Sequence, residues 1–393
     1  MLYNETVGIS REEYAERIQN VQHSMVENDL DILLSYGDEG QYMNLYYLVR
    51  YWPCFEVGGA LLGQEGKPLV LIGGESVEFG AMTPFGMDSV RPCNDFGHRT
   101  GGVRGWLGVK FYDLNELFKE VCPDRPIRRI GIPDLSILPY PLYMRIREIC
   151  PDAEIVDCSE MMNKIRLFKS EAEIAMLRKA SEISEKAFEY LLGVVTPEMT
   201  ELQAEGLLIG EMLRLGGETA CFPQTVFSGY HSRCGIGRCT HKELGRNQLI
   251  SLGFGCRYGG YSGTYARPFI FGKMPDKMKS EIQFLLDLHK VLITEWSRPG
   301  VLASEVYNKY YDAFVSNGYG EPPAGASHGI GVMEGDGFSF RPYVKVEIQP
   351  NMVLAGDHYF RSDNYGFRFE DAFVIGETEN SLFTSNNWDF IEL

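Results

Sequence analysis

Apolar positions in residues 1–160 alternate between helical spacing and short continuous runs. A serine cap followed by apolar residues three or four positions apart predicts an amphipathic helix. These residues are Ser10, Tyr14, Ile18, Val21 and Met25. Continuous apolar runs, which are typical of buried strands, follow in LDILLSYG, GGALLGQEGKPLVLIGG, IRRIGIPD and AEIVDCSE. Strands that alternate with helices indicate an α/β domain, which we place at residues 1–160.

Residues 161–393 show a second pattern, in which long helical stretches alternate with strand-like hairpins. Ser170 and Glu173 have the spacing of a capping box, and the apolar stripe after them predicts a long helix. Further helical stretches are MTELQAEGLLIGEMLRLGG, PDKMKSEIQFLLDLHKVLITEW and SEVYNKYYDAFVSNG. Helices packed on one face of a curved antiparallel sheet would give this order, so we predict an α+β fold.

The composition narrows the class of protein and its partners. Of 393 residues, 44% are hydrophobic and 23% are charged, as in ordinary globular proteins, and the formal net charge is −17. Nucleic acids and anionic membranes would repel that charge, so we expect neither as a partner. The sequence has no apolar run of the ~20 residues that would span a bilayer, and no signal-peptide pattern. Nine scattered cysteines indicate reduced thiols, so we expect a cytoplasmic protein.

One hairpin raises the question of function. LISLGFGCRYGGYSGTYARPF, residues 249–269, has the pattern of a strand, a tight turn and a second strand around a Gly-Gly step. This stretch contains no Asp and no Glu. Any carboxylate that acts beside the hairpin therefore has to come from another segment.

Segments in the second half of the chain resemble the methionine aminopeptidase, prolidase and creatinase family. In order, they are IRLFKSEAEIAMLRKA, VFSGYHS, GGYSGTYAR, SHGIGVMEGD, and the pair QPNMVLAGDHYF and YGFRFEDAFVI. They span residues 164–376, and the first domain resembles that of the prolidase and creatinase members. The resemblance implies a C-terminal pita-bread catalytic domain, residues 161–393, preceded by a smaller α/β creatinase-type domain.

Metal-dependent members of this family bind two divalent ions through two Asp, one His and two further acidic residues. Carried over position by position, the ligands fall on Gly253, Thr264, His328, Asp357 and Glu370. Hard divalent cations need several carboxylate oxygens, and the two aspartate positions here offer none. We therefore expect no bound metal and no cofactor. The alternative is a single weakly bound metal on the last three residues.

Loss of those aspartates is also seen in the family's metal-free members, creatinase and ectoine hydrolase, which the chain resembles in domain plan and length. The resemblance implies a metal-independent hydrolase that cleaves a C–N bond of a small guanidino, amidine, ureido or cyclic amide compound. We expect His328 to be the general acid/base, Glu370 to orient or activate water, and Asp357 to bind a cationic group.

The resemblance to the metal-free members has two gaps. They carry a glutamate before the hairpin arginine, whereas Ala266 precedes Arg267 here, and their upstream histidine falls near Gly235. The expected substrate is therefore a small compound other than creatine or ectoine. Arg267 is expected to hold the hairpin by bonding to backbone or carboxylate groups.

The predicted substrate-binding residues come from both domains. They are Arg50, Tyr51, Phe55, His231, Tyr261, Thr264 and Tyr265. The first three resemble the aromatic and basic patch that creatinase-like dimers lay over the neighbouring subunit's site. The resemblance therefore implies a homodimer with a small-molecule substrate.

Other functions remain open on the sequence. The first is a metal-dependent Xaa-Pro peptidase of the aminopeptidase P or prolidase type. The second is a non-catalytic pita-bread binding protein, and the third is a lyase that uses the same acid/base pair. Metal content would separate the first of these from the expected hydrolase.

Three local motifs have alternative interpretations. HSRCGIGRCTH contains zinc-type ligands, but its spacing matches no standard zinc site, and a Gly-rich loop is the favoured interpretation. Cys256 beside Arg257 is a candidate nucleophile, against the more common buried thiol. NDFGHRTGGVRGW, residues 94–106, has the composition of a loop that closes over a pocket.

Overall fold

A computed structural model describes residues 8–97, 108–133, 135–385 and 389–393. The chain divides into two compact units, Met1–Ile165 (unit 1) and Arg166–Leu393 (unit 2), whereas the sequence placed the boundary after residue 160. Unit 1 mixes parallel and antiparallel strands with helices, and unit 2 packs helices on antiparallel sheets, so the predicted fold class is confirmed. The loop predicted to close over a pocket lies mostly outside the described residues.

Unit 1 is built around a sheet of order β4-β3-β2-β1-β5-β6. The strands are β1 (Ile32–Gly37), β2 (Gly58–Gly63), β3 (Leu69–Ile72), β4 (Val90–Pro92), β5 (Arg129–Ile132) and β6 (Glu154–Asp157). The helices are α1 (Arg11–Glu27), α2 (Met43–Val49), α3 (Val77–Gly80), α4 (Leu114–Val121), α5 (Tyr140–Ile149) and α6 (Ser159–Leu167), with 3-10 turns at Met87–Ser89, Asn94–Phe96 and Leu135–Ile137. The apolar runs form the central strands as predicted, because both faces of this sheet are buried.

Unit 2 consists of long helices and short strands. The helices are α7 (Glu171–Val194), α8 (Glu201–Arg214), α9 (Asp276–Val291) and α10 (Ala303–Ser316), with a 3-10 turn at Gly229–Arg233 and a π-helix at Leu292–Trp296. The strands are β7 (Thr225–Ser228), β8 (Leu249–Gly253), β9 (Arg257–Tyr258), β10 (Tyr261–Ser262), β11 (Tyr265–Ala266), β12 (Pro268–Ile270), β13 (His328–Gly329), β14 (Val353–Arg361), β15 (Gly366–Val374) and β16 (Ser381–Leu382). Within the described residues, no helix combines the length and apolar character that crossing a bilayer requires.

The predicted capping box at the start of α7 is confirmed. Ser170 Oγ accepts a hydrogen bond from Glu173 N at 3.2 Å, and Ser170 N donates to Glu173 Oε2 at 2.9 Å. Each such cap stabilises a helix by about 1 kcal/mol. Unit 2 therefore begins with a long helix whose first turn is fixed by its own side chains.

The predicted hairpin at residues 249–269 is confirmed, although short strands interrupted by single bridges form its two arms. The Gly259-Gly260 turn joins β9 and β10, and both glycines have positive φ, as the sequence indicated. On either side of the turn, the two arms stay paired with each other, through the bridge between Phe254 and Tyr265 and through β8 with β12. In addition, β8 pairs with β7 and β11 pairs with β15. At Gly263 a Cβ would lie 2.3 Å from Ala180 C in α7, so the backbone there packs directly on the helix.

The strand pair β14–β15 positions the polar residues of unit 2. Asp357 lies opposite Glu370, Tyr359 opposite Arg368, and His328 of β13 opposite Ala355. Because directly opposed residues of antiparallel strands share a face and alternate residues repeat it, the side chains of Asp357, Glu370, Arg368 and His328 project from one face.

The other face of β14–β15 packs against α9 in a large apolar core. Its residues include Phe360, Phe367, Phe369 and Phe373, together with Leu285 of α9. Each fully buried side chain of this kind contributes roughly 1.5–3 kcal/mol to folding. The sheet that carries the polar face is thus backed by a layer that is mostly apolar.

Candidate active site

Three titratable side chains converge on the polar face of β13 and β15. One ligand atom from each of His328, Glu334 and Glu370 lies within 4.8 Å of the others. His328 Nε2 is 3.0 Å from Glu334 Oε1 and 3.9 Å from Glu370 Oε1. We call this group the three-ligand cluster.

Glycines bring Glu334 back over His328. A Cβ on Gly329 would lie 2.0 Å from Asp336 O, and a Cβ on Gly331 would lie 2.1 Å from Asp336 Oδ2. Only glycine allows the backbone to approach so closely. The segment after β13 therefore folds on itself, and this fold places an acidic side chain beside the histidine.

Asp336 anchors that segment to the start of unit 2. Its carboxylate lies 3.1 Å from Arg166 Nε and 3.5 Å from Lys169 Nζ, with all three side chains buried. Burial opposes ionisation, but Lys169 and Arg166 hold the pKa of Asp336 below its ordinary value. The loop that carries Glu334 is consequently pinned by a buried ion-pair network.

Glu370 is fully buried, and neither of its carboxylate oxygens accepts a hydrogen bond from any described residue. Burial, together with the nearby charges of Asp357 and Glu334, raises its pKa to about 8. Buried polar atoms almost always have partners, so an unpartnered carboxylate aimed at a histidine indicates a ligand position.

His328 is held in the orientation that directs Nε2 into the cluster. Its Nδ1 lies 3.0 Å from the carbonyl oxygen of Gly329, which can only accept, so Nδ1 donates. Burial disfavours the imidazolium, but the Glu334 carboxylate outweighs it and raises the pKa of His328 to about 10. The same ion pair lowers the pKa of Glu334.

Asp357 lies opposite Glu370 on the sheet but belongs to a different pair. Its Oδ1 is 3.2 Å from Arg368 Nε, and Arg368 also donates through Nη2 to the carbonyl oxygen of Gly235 at 3.3 Å. The structure therefore brings together two of the three predicted catalytic residues, His328 and Glu370. Asp357, which was predicted to bind a cationic group of the substrate, is instead paired with Arg368.

The residues present fit one divalent cation rather than two. One imidazole nitrogen and two carboxylates, one of them buried without a partner, form a suitable donor set in the three-ligand cluster. A second ion would need carboxylates at Gly253 and Thr264. Thr264 offers a buried, neutral hydroxyl, and a Cβ on Gly253 would lie 3.6 Å from Arg368 Cδ.

The predicted substrate-binding residues of unit 2 have structural partners. Tyr261 is buried and donates through its hydroxyl to Glu173 Oε1 at 2.9 Å, and Tyr265 packs among Phe188 and other aromatic rings. His231 Nδ1 lies 2.8 Å from the buried Glu201. Packing, hydrogen bonding and ion pairing therefore account for the positions of these three side chains. That they bind a substrate stays a prediction.

The alternative chemistry of two cysteine motifs is not supported. Within the described residues, no three potential ligands of HSRCGIGRCTH come together as a metal site, and Cys239 Sγ accepts from Val226 N at 3.2 Å. Burial raises the pKa of Cys256 to about 12, so its thiol stays protonated. Arg257 instead donates to the carbonyl oxygens of Val332 and Cys221, both at 2.7 Å.

The predicted substrate-binding residues of unit 1 follow α2. Arg50 and Phe55 have left-handed backbones, with φ of 54° and 60°. Tyr51 is buried, and its ring packs against Phe79, whereas Phe55 is 78% exposed. Their placement over a partner's site in a homodimer stays a prediction.

A polar network behind the site fixes the register of β15. Arg267 Nη2 donates to Asp371 Oδ2 at 2.8 Å, which confirms its predicted structural role. His289 Nε2 lies 2.8 Å from the same oxygen, and its Nδ1 is 2.7 Å from His358 Nδ1. Burial lowers the pKa of both histidines. With Asp371 held on this face, its neighbour Glu370 must point to the other.

Two residues of the site were not predicted as such. Glu334 lies in the same glycine-rich segment as His328, and Arg368 precedes Glu370 by two positions on one strand. Arg368 could have been predicted, because alternate residues of a strand share a face. Glu334 could not, because its position depends on how the glycine-rich loop closes, which the sequence pattern does not reveal.

Comparisons with known proteins agree on the architecture. Residues 175–377 match the model described as Metallopeptidase family M24, and residues 17–168 match the Creatinase/Prolidase N-terminal domain. Uncharacterized peptidase YqhT of Bacillus subtilis is 29% identical over 68% of this chain and 76% of its own length. The Xaa-Pro dipeptidase of Pyrococcus horikoshii is 24% identical over 72% and 79%. A solved Xaa-Pro dipeptidase from Bacillus anthracis has a TM-score of 0.81 at 22% identity, covering 97% of this chain and 100% of its own, and shows the fold.

These matches confirm the pita-bread architecture and correct the expected function. The two curated relatives named above are described as peptidases, one of them as an Xaa-Pro dipeptidase, and neither as a creatinase or ectoine hydrolase. The expectation of a metal-independent, creatinase-like hydrolase of a small nitrogenous compound is therefore wrong. That expectation treated the absence of carboxylates at Gly253 and Thr264 as loss of the metal site. Glu334, however, supplies a carboxylate beside His328 that no carried-over position predicts.

Proposed function

This chain belongs to metallopeptidase family M24, and we propose on that basis that it hydrolyses short peptides at an Xaa-Pro bond. Relatives described as Xaa-Pro dipeptidases support this substrate class. The observation that carries the proposal is the three-ligand cluster, in which the buried Glu370 has no hydrogen-bond partner among the described residues.

His328, Glu334 and Glu370 would hold one divalent cation. When bound, such a cation supplies Lewis-acid polarisation of the peptide carbonyl. Glu334 is the most accessible of these ligands, with 29% of its side chain exposed, whereas Glu370 is fully buried. Glu334 is thus the ligand that solvent can reach, and Glu370, once its proton is displaced, provides a negative charge from which water is excluded.

The protein's own hydrogen bonds preserve this arrangement. His328 donates through Nδ1 to a backbone carbonyl and so presents Nε2 to the cluster. The loop that carries Glu334 is pinned by Asp336. Preorganised groups of this kind lose little free energy to reorganisation during a reaction.

The test is hydrolysis of Xaa-Pro dipeptides and Xaa-Pro tripeptides by protein loaded with Mn²⁺, Co²⁺ or Zn²⁺. We expect release of proline or a proline-containing fragment, with turnover falling by at least roughly a hundredfold in Glu370→Gln. Glu305→Gln, an exposed change on α10, is the matched control and should retain turnover. No hydrolysis of any of these peptides with any metal would refute the proposal, as would full activity of Glu370→Gln.

A further inference from the structure

Arg368 is a cation placed inside the candidate active site. It lies two residues before Glu370 on β15 and projects from the same face, opposite Tyr359. Its guanidinium is 5.7 Å from the centre of the Tyr359 ring, and 20% of its side chain is exposed. The charge is therefore fixed by the sheet but still open to a ligand.

The guanidinium has more donors than the protein uses. Of its five N–H groups, the described residues accept one hydrogen bond, from Nη2 to the carbonyl oxygen of Gly235. Asp357 lies 3.2 Å from Nε in an ion pair. Nη1 donates to none of the described residues, although it belongs to a group that recognises carboxylates through paired hydrogen bonds.

Gly253 provides no side chain that could pair with Arg368 from β8, although the charges of Asp357, Glu370 and Glu334 lie near the guanidinium. A Cβ on Gly253 would lie 3.6 Å from Arg368 Cδ and 3.9 Å from its Nη1, so an acidic side chain at this position would lie against the guanidinium. Because residue 253 is glycine, that acidic side chain is absent, and the space beside the guanidinium can hold the carboxylate of a ligand.

We propose that Arg368 binds the terminal carboxylate of the peptide, which makes the chain a dipeptidase rather than an aminopeptidase acting on longer peptides. This inference rests on the proposed peptidase function. In a dipeptide, the terminal carboxylate is only three bonds from the carbonyl carbon of the bond that is cleaved. The group that binds it must therefore lie beside the group that acts on the carbonyl, and alternate residues on a strand are roughly 7 Å apart.

The test compares binding of two ligands that differ only in charge, N-acetylproline and N-acetylprolinamide, by calorimetry with manganese-loaded protein. We expect the acid to bind roughly tenfold to a hundredfold more tightly than the amide. Arg368→Gln should abolish that preference, and Arg368→Lys should keep part of it. Arg361→Gln, at the exposed end of β14, is the matched control and should retain the preference.

A second pair of variants tests the site without removing the arginine. In Gly253→Asp, a tethered carboxylate should occupy Arg368 and reduce the acid preference about tenfold, whereas Gly253→Asn, with the same shape and no charge, should not. Equal binding of acid and amide by the wild type, or a preference that survives both Arg368→Gln and Gly253→Asp, would overturn the inference. Acid preference without any peptide turnover would support the carboxylate site at Arg368 and refute the peptidase function, and with it the assignment as a dipeptidase.

Discussion

At the scale of single residues, the candidate site binds protons in the absence of a cation. The pKa of Glu370 is raised to about 8 and that of His328 to about 10, so both groups carry a proton at neutral pH. A divalent cation requires both to be deprotonated. Proton release should therefore accompany cation binding.

This leads to a prediction about pH. Because both pKa values lie above neutrality, the affinity for Mn²⁺ should rise with pH, by roughly tenfold to a hundredfold between pH 6 and pH 7. Calorimetry in buffers of different ionisation enthalpy should show the release of about one to two protons at pH 7. An affinity that does not change between pH 6 and pH 8 would contradict the proposed ligand set.

Glu334 provides a second prediction at this scale. Its carboxylate is the main reason that the pKa of His328 is raised, whereas burial acts in the opposite direction. In Glu334→Gln, the pKa of His328 should fall back from about 10 toward or below its ordinary value. The nitrogen chemical shifts of the His328 imidazole, followed through a pH titration, would measure this pKa. An unchanged titration would show that Glu334 does not pair with His328.

His328 and Glu370 could be predicted as site residues because their motifs state both the residue type and its position in a strand. Glu334 could not, because an acidic residue in a glycine-rich segment can face solvent or the site, and only the loop closure decides. Arg368 was visible in the sequence, but its importance depends on Gly253, a neighbour in space that lies far away along the chain.

At the scale of elements, the loop after β13 depends on an anchor outside itself. Asp336 is buried beside Arg166 and Lys169, and removal of its charge takes away the counter-charge that these two buried cations share. Asp336→Asn should destabilise unit 2 by roughly 3–5 kcal/mol and weaken cation binding with it. Urea denaturation and calorimetry would measure the two effects.

The control for this change is an exposed ion pair. Glu160 and Lys164 are 2.9 Å apart, with most of each side chain in solvent. Glu160→Gln should change stability by less than about 1 kcal/mol. If Asp336→Asn were equally mild, the network would not be what holds the loop in place.

Helices were easier to predict than the strands around the site. The long amphipathic helices α7 and α9 have a period that the sequence shows directly, and the capping box fixes the start of α7. The strands β8 to β12 are two to five residues long and belong to different sheets. A strand of two residues has no readable period, so the pairing of β11 with β15 could not be predicted, whereas the Gly-Gly turn made the hairpin itself predictable.

At the scale of the whole molecule, fold and function were predictable to different degrees. The fold depends on many apolar positions, and loss of two carboxylates at Gly253 and Thr264 leaves those positions intact. Function depends on a few side chains, so the same loss suggested a metal-free enzyme. The peptidase relatives overturn that expectation. On our proposal, the error was to count ligands by position in a motif, whereas a cation is bound by whichever oxygen and nitrogen atoms lie close together in space.

A bound cation should also stabilise the folded molecule. A ligand that binds only the native state adds about 2.7 kcal/mol when present at a hundred times its Kd. Mn²⁺ should therefore raise the midpoint of thermal unfolding in calorimetry, and a chelator should reverse the change. Glu370→Gln should lose most of this shift while Glu305→Gln retains it, because Glu370 belongs to the three-ligand cluster and Glu305 does not. An equal shift in both variants would place the cation elsewhere, and the one-cation site would have to be abandoned.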